Sequence, residues 1–190
     1  MAARKKIRTA AALATTAAAV TAGALPAAHA SQEQPDAAAK KPPLVTWRNG
    51  STGRYLTVKD NSKHKHADIV TTKTDRGKPE HWYMVRHGTS PLGFLDTYQM
   101  KNENSGLCAD YIGRIPPGSH VEQSGCGKYV WAERSVLNRQ RQFLGWSLTP
   151  NGGTESVSGH LCEDTRTHNV SIVASFPVDG SNTPKRCLWH

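Results

Sequence analysis

Few residues in this sequence are spaced in a way that could support catalysis. The sequence Gly-Thr-Ser-Pro at 88–91 lacks the second glycine of a nucleophile elbow, and no His-Glu-x-x-His zinc motif occurs. Glu163 and Asp164 are two carboxylates that could form a glycosidase pair, but adjacent residues of a strand point to opposite faces. The sequence therefore predicts a binding protein and not an enzyme.

Two histidines, His64 and His66, flank a lysine and could lie on one face of a strand as metal ligands. Zinc sites need three or four protein ligands, and no third ligand follows at the usual spacing. We therefore interpret this segment as a solvated loop and expect neither a metal nor another cofactor.

The first 30 residues have the three parts of a secretory signal peptide. Four basic residues stand within the first eight, an Ala-, Thr- and Val-rich run follows, and Ala28-His29-Ala30 has the small-x-small form of a cleavage site. The apolar run is too short and too weakly hydrophobic to predict a membrane span. We expect cleavage after Ala30, a secreted extracellular protein, and no binding to membranes.

The charge distribution argues against nucleic acid as a partner. The full sequence has a formal charge of +9 from 24 basic and 15 acidic residues, and removal of the signal segment with its four basic residues leaves +5. Nucleic-acid-binding domains usually concentrate basic residues on one face, whereas the remaining charges here are spread along the chain. A modest positive charge favours contact with anionic surfaces such as cell-wall polymers.

The segment 31–43 reads SQEQPDAAAKKPP and contains no aromatic or β-branched residue. It has too little apolar surface to offset the cost of ordering its backbone, so we expect a disordered tail. Residues 44–190 have the length of one ordinary domain.

A similar sequence pattern occurs three times in this domain. Tyr55, Cys108 and Cys162 stand 53 and 54 residues apart, each within a similar pattern of turn residues and apolar residues. A period of this size indicates a unit that packs against its own copies to close one core. The first copy alternates four β-branched or aromatic runs with turn residues, which predicts four strands per copy and an all-β fold. Three such repeats of about 50 residues predict a β-trefoil.

Four cysteines lie in the domain, and in an exported protein they predict two disulfide bonds. Three pairings are formally possible. Cys108 and Cys126 lie in the second repeat and Cys162 and Cys187 in the third, so the repeat pattern favours these two local pairs. Each would stabilise the fold by about 3 kcal/mol.

The second repeat resembles the ricin-type trefoils. It reads Gly-Leu-Cys-Ala-Asp at 106–110 and Val-x-x-x-x-Cys at 121–126, which is similar to the motifs of that family. The first repeat matches without cysteines and has Glu-His-Trp at 80–82 in the place of Gln-x-Trp. The third carries Cys-Glu-Asp at 162–164 and Cys-Leu-Trp at 187–189. After Cys126 the second repeat departs from the pattern, because Tyr-Val-Trp at 129–131 stands at a shortened spacing.

In the lectin branch of this family, a sugar lies between the Cys-x-Asp carboxylate, an aromatic ring and an Asn or Gln side chain. The resemblance implies a carbohydrate site in the third repeat with Asp164 and Phe176, and a weaker one in the second with Asp110 and Gln123. The first repeat has Thr57 in place of the carboxylate. The alternative is that Asp110 and Asp164 only hydrogen-bond turn backbone.

Four of the five tryptophans recur at strand positions and are expected in the core: Trp47, Trp82, Trp146 and Trp189. The fifth, Trp131, begins a polar, irregular segment at 131–144 that is compatible with a short helix. We expect Trp131 to be exposed.

The leading hypothesis is a secreted, lectin-like protein that binds carbohydrate or a cell-wall glycopolymer without catalysis. The alternative is a protein-interaction module: an adaptor subunit of a secreted complex such as a bacterial toxin particle, or a protease-directed inhibitor. In that alternative the tail with Lys40 and Lys41 is the partner-binding segment, since an extended segment can dock in a cleft or on a sheet edge.

Overall fold

The computed structural model describes residues 41–90, 93, 95–111, 118–127, 129–150, 159–173 and 182–190. Within these residues the chain forms strands and three single-turn 3-10 helices, at Lys59–Asn61, Lys78–Glu80 and Lys185–Cys187. The strands, in chain order, are β1 (Leu44–Thr46), β2 (Tyr55–Val58), β3 (Ile69–Thr72), β4 (His81–Thr89), β5 (Asp96–Asn102), β6 (Cys108–Tyr111), β7 (Ser119–Ser124), β8 (Trp131–Leu137), β9 (Phe143–Pro150), β10 (His160–Glu163) and β11 (Val170–Val173).

Five of these strands and the last residues of the sequence form a closed antiparallel barrel. β1 pairs with β4, β4 with β5, β5 with β8, and β8 with β9. Trp189 bridges to Trp146 of β9 on one side and to Asn49, just after β1, on the other. The backbone N–H of Arg48 donates to the carbonyl of His190 at 2.9 Å, which closes the ring. A closed barrel leaves no unpaired edge on these strands.

Three hairpins, β2–β3, β6–β7 and β10–β11, alternate with the barrel strands along the chain. Each group of four therefore has a barrel strand, a hairpin and a second barrel strand, and the segment 188–190 takes the last place in the third group. Tight turns make this alternation possible. Gly53 and Gly106, before β2 and β6, both have positive φ, which favours glycine. The all-β class and the β-trefoil predicted from the sequence are confirmed.

The same hydrogen bond recurs once in each group. A fully buried tryptophan donates its indole N–H to a carbonyl of the hairpin in its own group, over 2.9 to 3.1 Å. The pairs are Trp82 with Leu56, Trp131 with Ala109, and Trp189 with Leu161. Three copies of one bond place the three indoles around a common core.

The expected exposure of Trp131 was therefore wrong, because its exposed fraction is zero. The shortened spacing after Cys126 only shortens the connection and leaves the tryptophan in the same place as in the other groups. The short helix considered at 131–144 is also absent: β8 and β9 form a hairpin there. Asn138 and Gln142 hold its turn through a backbone bond of 3.0 Å and a side-chain bond of 2.7 Å.

These tryptophan bonds also fix the register between repeats. Since Leu56, Ala109 and Leu161 accept the same bond, the residue before each of them is equivalent: Tyr55, Cys108 and His160. The proposed equivalence of Cys162 with Cys108 is two residues out of register. Cys162 corresponds instead to Asp110 and Thr57.

Both predicted disulfides are present, Cys108–Cys126 and Cys162–Cys187. The second joins β10 to the 3-10 helix at Lys185–Cys187. In the first group the same two positions are held by a hydrogen bond, which Thr57 Oγ1 donates to Glu80 Oε1 over 3.0 Å. A covalent link and a buried polar contact thus hold equivalent elements together.

Among the described residues, no helix is long and apolar enough to cross a membrane.

Candidate functional site

Asp110 lies near the end of β6, with 8% of its surface exposed. Its Oδ1 accepts a hydrogen bond from the backbone N–H of Tyr111 at 2.6 Å, and the hydroxyl of Ser124 on β7 donates to Oδ2. The pairing of β6 with β7 places Ser124 beside the start of β6. These donors from the hairpin hold the carboxylate in one orientation.

Tyr111, the residue after Asp110 on β6, belongs to an aromatic cluster. The ring of Tyr111 lies 4.5 Å from that of Tyr129 and 5.9 Å from that of Trp131, measured between centroids. Burial raises the pKa of Tyr111, and the neighbouring Tyr129 and Asp110 raise it further. Tyr111 is thus a neutral phenol, while Tyr129 is partly exposed at the edge of the core. Tyr129 was not among the predicted site residues, although the Tyr-Val-Trp motif at 129–131 marks its position.

The equivalent positions of the other two repeats carry no carboxylate. Thr57 in the first is buried and bonded to Glu80, and Cys162 in the third is in a disulfide. Of these three positions, the one in the second repeat retains an acidic side chain.

Asp164, the predicted carboxylate of the third repeat, lies in the turn between β10 and β11. Its Oδ1 accepts a hydrogen bond from the backbone N–H of Arg166 at 2.9 Å. This bond, together with the hydroxyl of Thr167, lowers the pKa of Asp164. The backbone N–H of Asp164 donates to the carbonyl of Asn169, and in the first repeat the backbone N–H of Lys59 donates to the carbonyl of Asp68 in the same way. Asp164 is therefore equivalent to Lys59 and not to Asp110. The predicted partner ring, Phe176, lies outside the described residues.

Gln123, predicted as a sugar contact, is fully buried. Its Oε1 accepts from the hydroxyl of Ser105 at 2.7 Å, and its Nε2 donates to the carbonyls of Ser62 and His64 at 2.9 and 2.7 Å. The side-chain amide therefore ties the first repeat to the second. Because both ends of the amide are used inside the protein, Gln123 is not available to a sugar at the surface.

The carboxylate of Glu163, which the sequence offered only as a neighbour of Asp164, is buried and joins the third repeat to the first. Glu163 is fully buried and accepts from the hydroxyls of Thr52 and Thr71 at 2.5 and 2.7 Å. Its Oε1 also lies 3.0 Å from Nδ1 of His168 and 3.7 Å from Nε of Arg54. No spacing in the sequence signals this cluster, because its members come from separate repeats.

Two further side-chain pairs could suggest chemistry. His66 Nδ1 lies 2.6 Å from Glu122, and no group of three or more His, Cys, Asp or Glu residues within the described ranges could hold a metal ion. Ser147 Oγ lies 2.7 Å from Nδ1 of His160, as in a nucleophile–base pair. Both members of that pair are at most 2% exposed, so a substrate cannot reach them in this conformation.

The predicted partner-binding tail meets the barrel at its last residues. The N–H of Met84 donates to the carbonyl of Pro43 at 2.9 Å, and the ammonium of Lys41 lies 5.5 Å from the centroid of the Tyr83 ring. Lys40 lies outside the described residues. From Pro43 onwards the chain therefore lies alongside β4.

Comparison with known proteins agrees with this architecture. Residues 34–124 match the family model described as ricin-type beta-trefoil lectin domain-like. No curated protein matches the chain.

Several solved structures share the fold. The designed 3-fold symmetric protein ThreeFoil superposes with a TM-score of 0.59 at 14% identity, over 77% of this chain and 96% of its own. The Rhizoctonia solani agglutinin superposes with a TM-score of 0.56 at 16% identity, over 78% and 92% of the two chains. The mdaA-1 domain gives a TM-score of 0.50 at 16% identity, over 78% and 88%.

Proposed function

Since the chain has the β-trefoil fold of ricin-type lectin-like domains, we propose that it is a non-catalytic carbohydrate-binding protein that uses the second repeat. The observation that carries the proposal is Asp110. It is the acidic side chain at the Cys-x-Asp position, and the N–H of Tyr111 and the hydroxyl of Ser124 orient it. The match of residues 34–124 to the family model includes β5, β6 and β7 of this repeat, and with them Asp110.

The chemistry expected at Asp110 is hydrogen bonding to sugar hydroxyls. Each carboxylate oxygen has more than one acceptor position, so Asp110 would accept a sugar hydroxyl in addition to the bonds from Tyr111 and Ser124 that orient it. Tyr129, partly exposed beside Tyr111, is the aromatic side chain on which the apolar face of a sugar ring would lie. Neither group needs to transfer a proton or form a covalent bond, so binding is the proposed activity.

The test compares two aspartates from different repeats. Glycan arrays and pull-down with insoluble cell-wall polysaccharide identify the ligand, and calorimetry then measures its affinity for Asp110→Asn and Asp164→Asn. Hydrogen bonds to a charged group contribute about 1.5–3 kcal/mol each, so Asp110→Asn should weaken binding by about tenfold or more. Asp164→Asn should bind as the wild type does.

The reverse result would move the site. If Asp164→Asn loses binding and Asp110→Asn does not, the carbohydrate site lies in the third repeat with Phe176, as the sequence predicted. If the wild-type protein binds no glycan and no wall polymer, the lectin function is refuted.

An adaptor or protease-directed role is our second proposal, and the contact between the end of the tail and β4 favours it. The carbonyl of Pro43 lies on β4, so a partner that grips Lys40 and Lys41 would be held directly against the barrel. Replacing both lysines with alanine should then remove a co-purifying protein from culture medium while leaving the melting temperature unchanged. Equal recovery of partners with the variant would refute this role.

We also propose that the protein is secreted after removal of residues 1–30. Two disulfides in the domain suit an oxidising compartment. N-terminal sequencing of the protein from culture medium should begin at Ser31, and a protein that starts at Met1 and stays in the cell would refute it.

A further inference from the structure

A pocket of about 410 Å³ lies at the end of the barrel, away from the hairpins. Every barrel strand contributes a residue to its wall, and so does the end of the chain. The lining includes Trp47, Met84, Tyr98, Glu133, Trp146 and His190. The mouth of a β-barrel is a common place for a small ligand, and this volume is in the usual range. Asp110, Gln123 and Asp164 do not line it, so it is separate from the carbohydrate sites.

Trp47 lines this pocket, and its buried indole N–H is an unused hydrogen-bond donor. The residue is 4% exposed, and its Nε1 has no hydrogen-bond acceptor within the part of the chain that the structure describes. Trp82, Trp131 and Trp189 each donate to a carbonyl. Because buried N–H groups are nearly always paired, we expect an acceptor here that is not among the described residues.

Glu133, on β8, contributes a negative charge to the same wall. Among the described residues its carboxylate has no ion pair and no hydrogen bond, although the phenol of Tyr98 lies within electrostatic reach of it. Burial raises the pKa of Glu133, because the charged form has lost part of its hydration. A carboxylate that is partly removed from water and lacks a partner is stabilised by a cationic ligand.

Aromatic rings complete the pocket. Tyr98 and Trp146 are both partly exposed, so their rings are accessible. Phe143 packs against Trp146 with the ring centroids 5.3 Å apart, and 51% of its own surface is exposed. Aromatic faces attract ammonium groups that lie within about 6 Å of the ring centroid.

We propose that this barrel-end pocket binds a small organic ammonium ion that also carries an oxygen acceptor. The positive nitrogen would lie between the aromatic rings and the Glu133 carboxylate, and the oxygen would accept the hydrogen bond of the Trp47 indole. This site would act independently of the carbohydrate site at Asp110.

Choline and its neutral isostere 3,3-dimethylbutan-1-ol form the test pair, because they share size and hydroxyl group and differ in charge. Calorimetry should show saturable binding of choline to the purified protein, with the isostere at least about tenfold weaker. Glu133→Gln should lose about tenfold in choline affinity without a matching loss for the isostere. Glu103→Gln, which changes a carboxylate outside the pocket, is the matched control and should bind as the wild type does.

A spectroscopic readout checks the second contact. The indole N–H resonance of Trp47, assigned by its loss in Trp47→Phe, should shift on addition of choline, whereas the resonances of Trp82 and Trp189 should not. Equal affinity for choline and the isostere, unchanged choline affinity in Glu133→Gln, or no binding of choline at millimolar concentration would each overturn the proposal. Asp110→Asn should keep its choline affinity, so a failure of the carbohydrate proposal is distinguishable from a failure of this one.

Discussion

Replacing Glu163 with alanine should be among the most destabilising single changes in this protein. The carboxylate is fully buried and accepts hydrogen bonds from Thr52 and Thr71, with His168 and Arg54 close by. Removing it leaves two hydroxyl donors without their acceptor and a guanidinium, whose side chain is 14% exposed, without its counter-charge. Removing one partner from a buried ionic cluster typically costs about 3–5 kcal/mol.

This cost is large compared with the whole stability of a domain, which is about 5–15 kcal/mol. For a domain of this length it corresponds to a fall of about 10 °C in the melting temperature. Glu163 also joins the third repeat to the first, so its loss weakens a contact between repeats and not only a turn within one of them.

Urea denaturation with the disulfides intact measures the effect, through the midpoint at an unchanged slope. The adjacent residue provides the matched control. Asp164→Ala removes a carboxylate from the surface turn and should destabilise the protein far less than Glu163→Ala does, because water can replace its hydrogen bond to the backbone. A loss below about 1 kcal/mol for Glu163→Ala, or equal losses for the two variants, would refute the reasoning.

Three other predictions concern stability. Burial raises the pKa of Glu133 in the folded protein, so the stability that comes from its protonated form is complete below the unfolded carboxyl pKa and is lost as pH rises through the folded pKa. Glu133→Gln should therefore stabilise the protein at pH 7 and change its stability little near pH 3. Thermal melts at both pH values check this. Gly159→Ala should cost about 1–3 kcal/mol or more in urea denaturation, since a Cβ there would collide with the Ile172 side chain and the Val173 carbonyl. Gly88→Ala is the control and should be nearly neutral, because its Cβ would meet only Thr97, at 4.0 Å. Replacing Cys162 and Cys187 together with alanine should cost about 3.5 kcal/mol by chain entropy over their separation of 25 residues, and a calorimetric melt that matches the wild type would contradict this.

Local patterns predicted the strands of the first repeat well. The runs at 44–47, 54–58, 68–72 and 81–85 lie within one residue of the observed strands, except that β4 continues to Thr89. Alternation of apolar and polar residues between turn residues is a local property, so it is readable without a structure. Both disulfides followed from the repeat pattern for the same reason, since each closes within one repeat.

The candidate site was harder to predict, because equivalence between repeats depends on hydrogen bonds and not on spacing. The interval of 54 residues suggested Cys162 as the counterpart of Cys108, whereas the indole bond to Leu161 shows that His160 is. This shift moves Asp164 into a turn and leaves Asp110 as the acidic side chain at the motif position.

The sequence by itself determined what depends on near neighbours: strand-forming runs, turns, the threefold period and two disulfides within repeats. Only the tertiary structure decided which polar side chains are exposed. Gln123 and Glu163 are polar residues, which sequence alone would place at the surface. Both are fully buried, because donors and acceptors from other repeats replace water around them. Trp131 is buried for a similar reason, since the core provides a carbonyl for its indole N–H. Partners far apart in sequence leave no local signal, and they exist only once the barrel has closed.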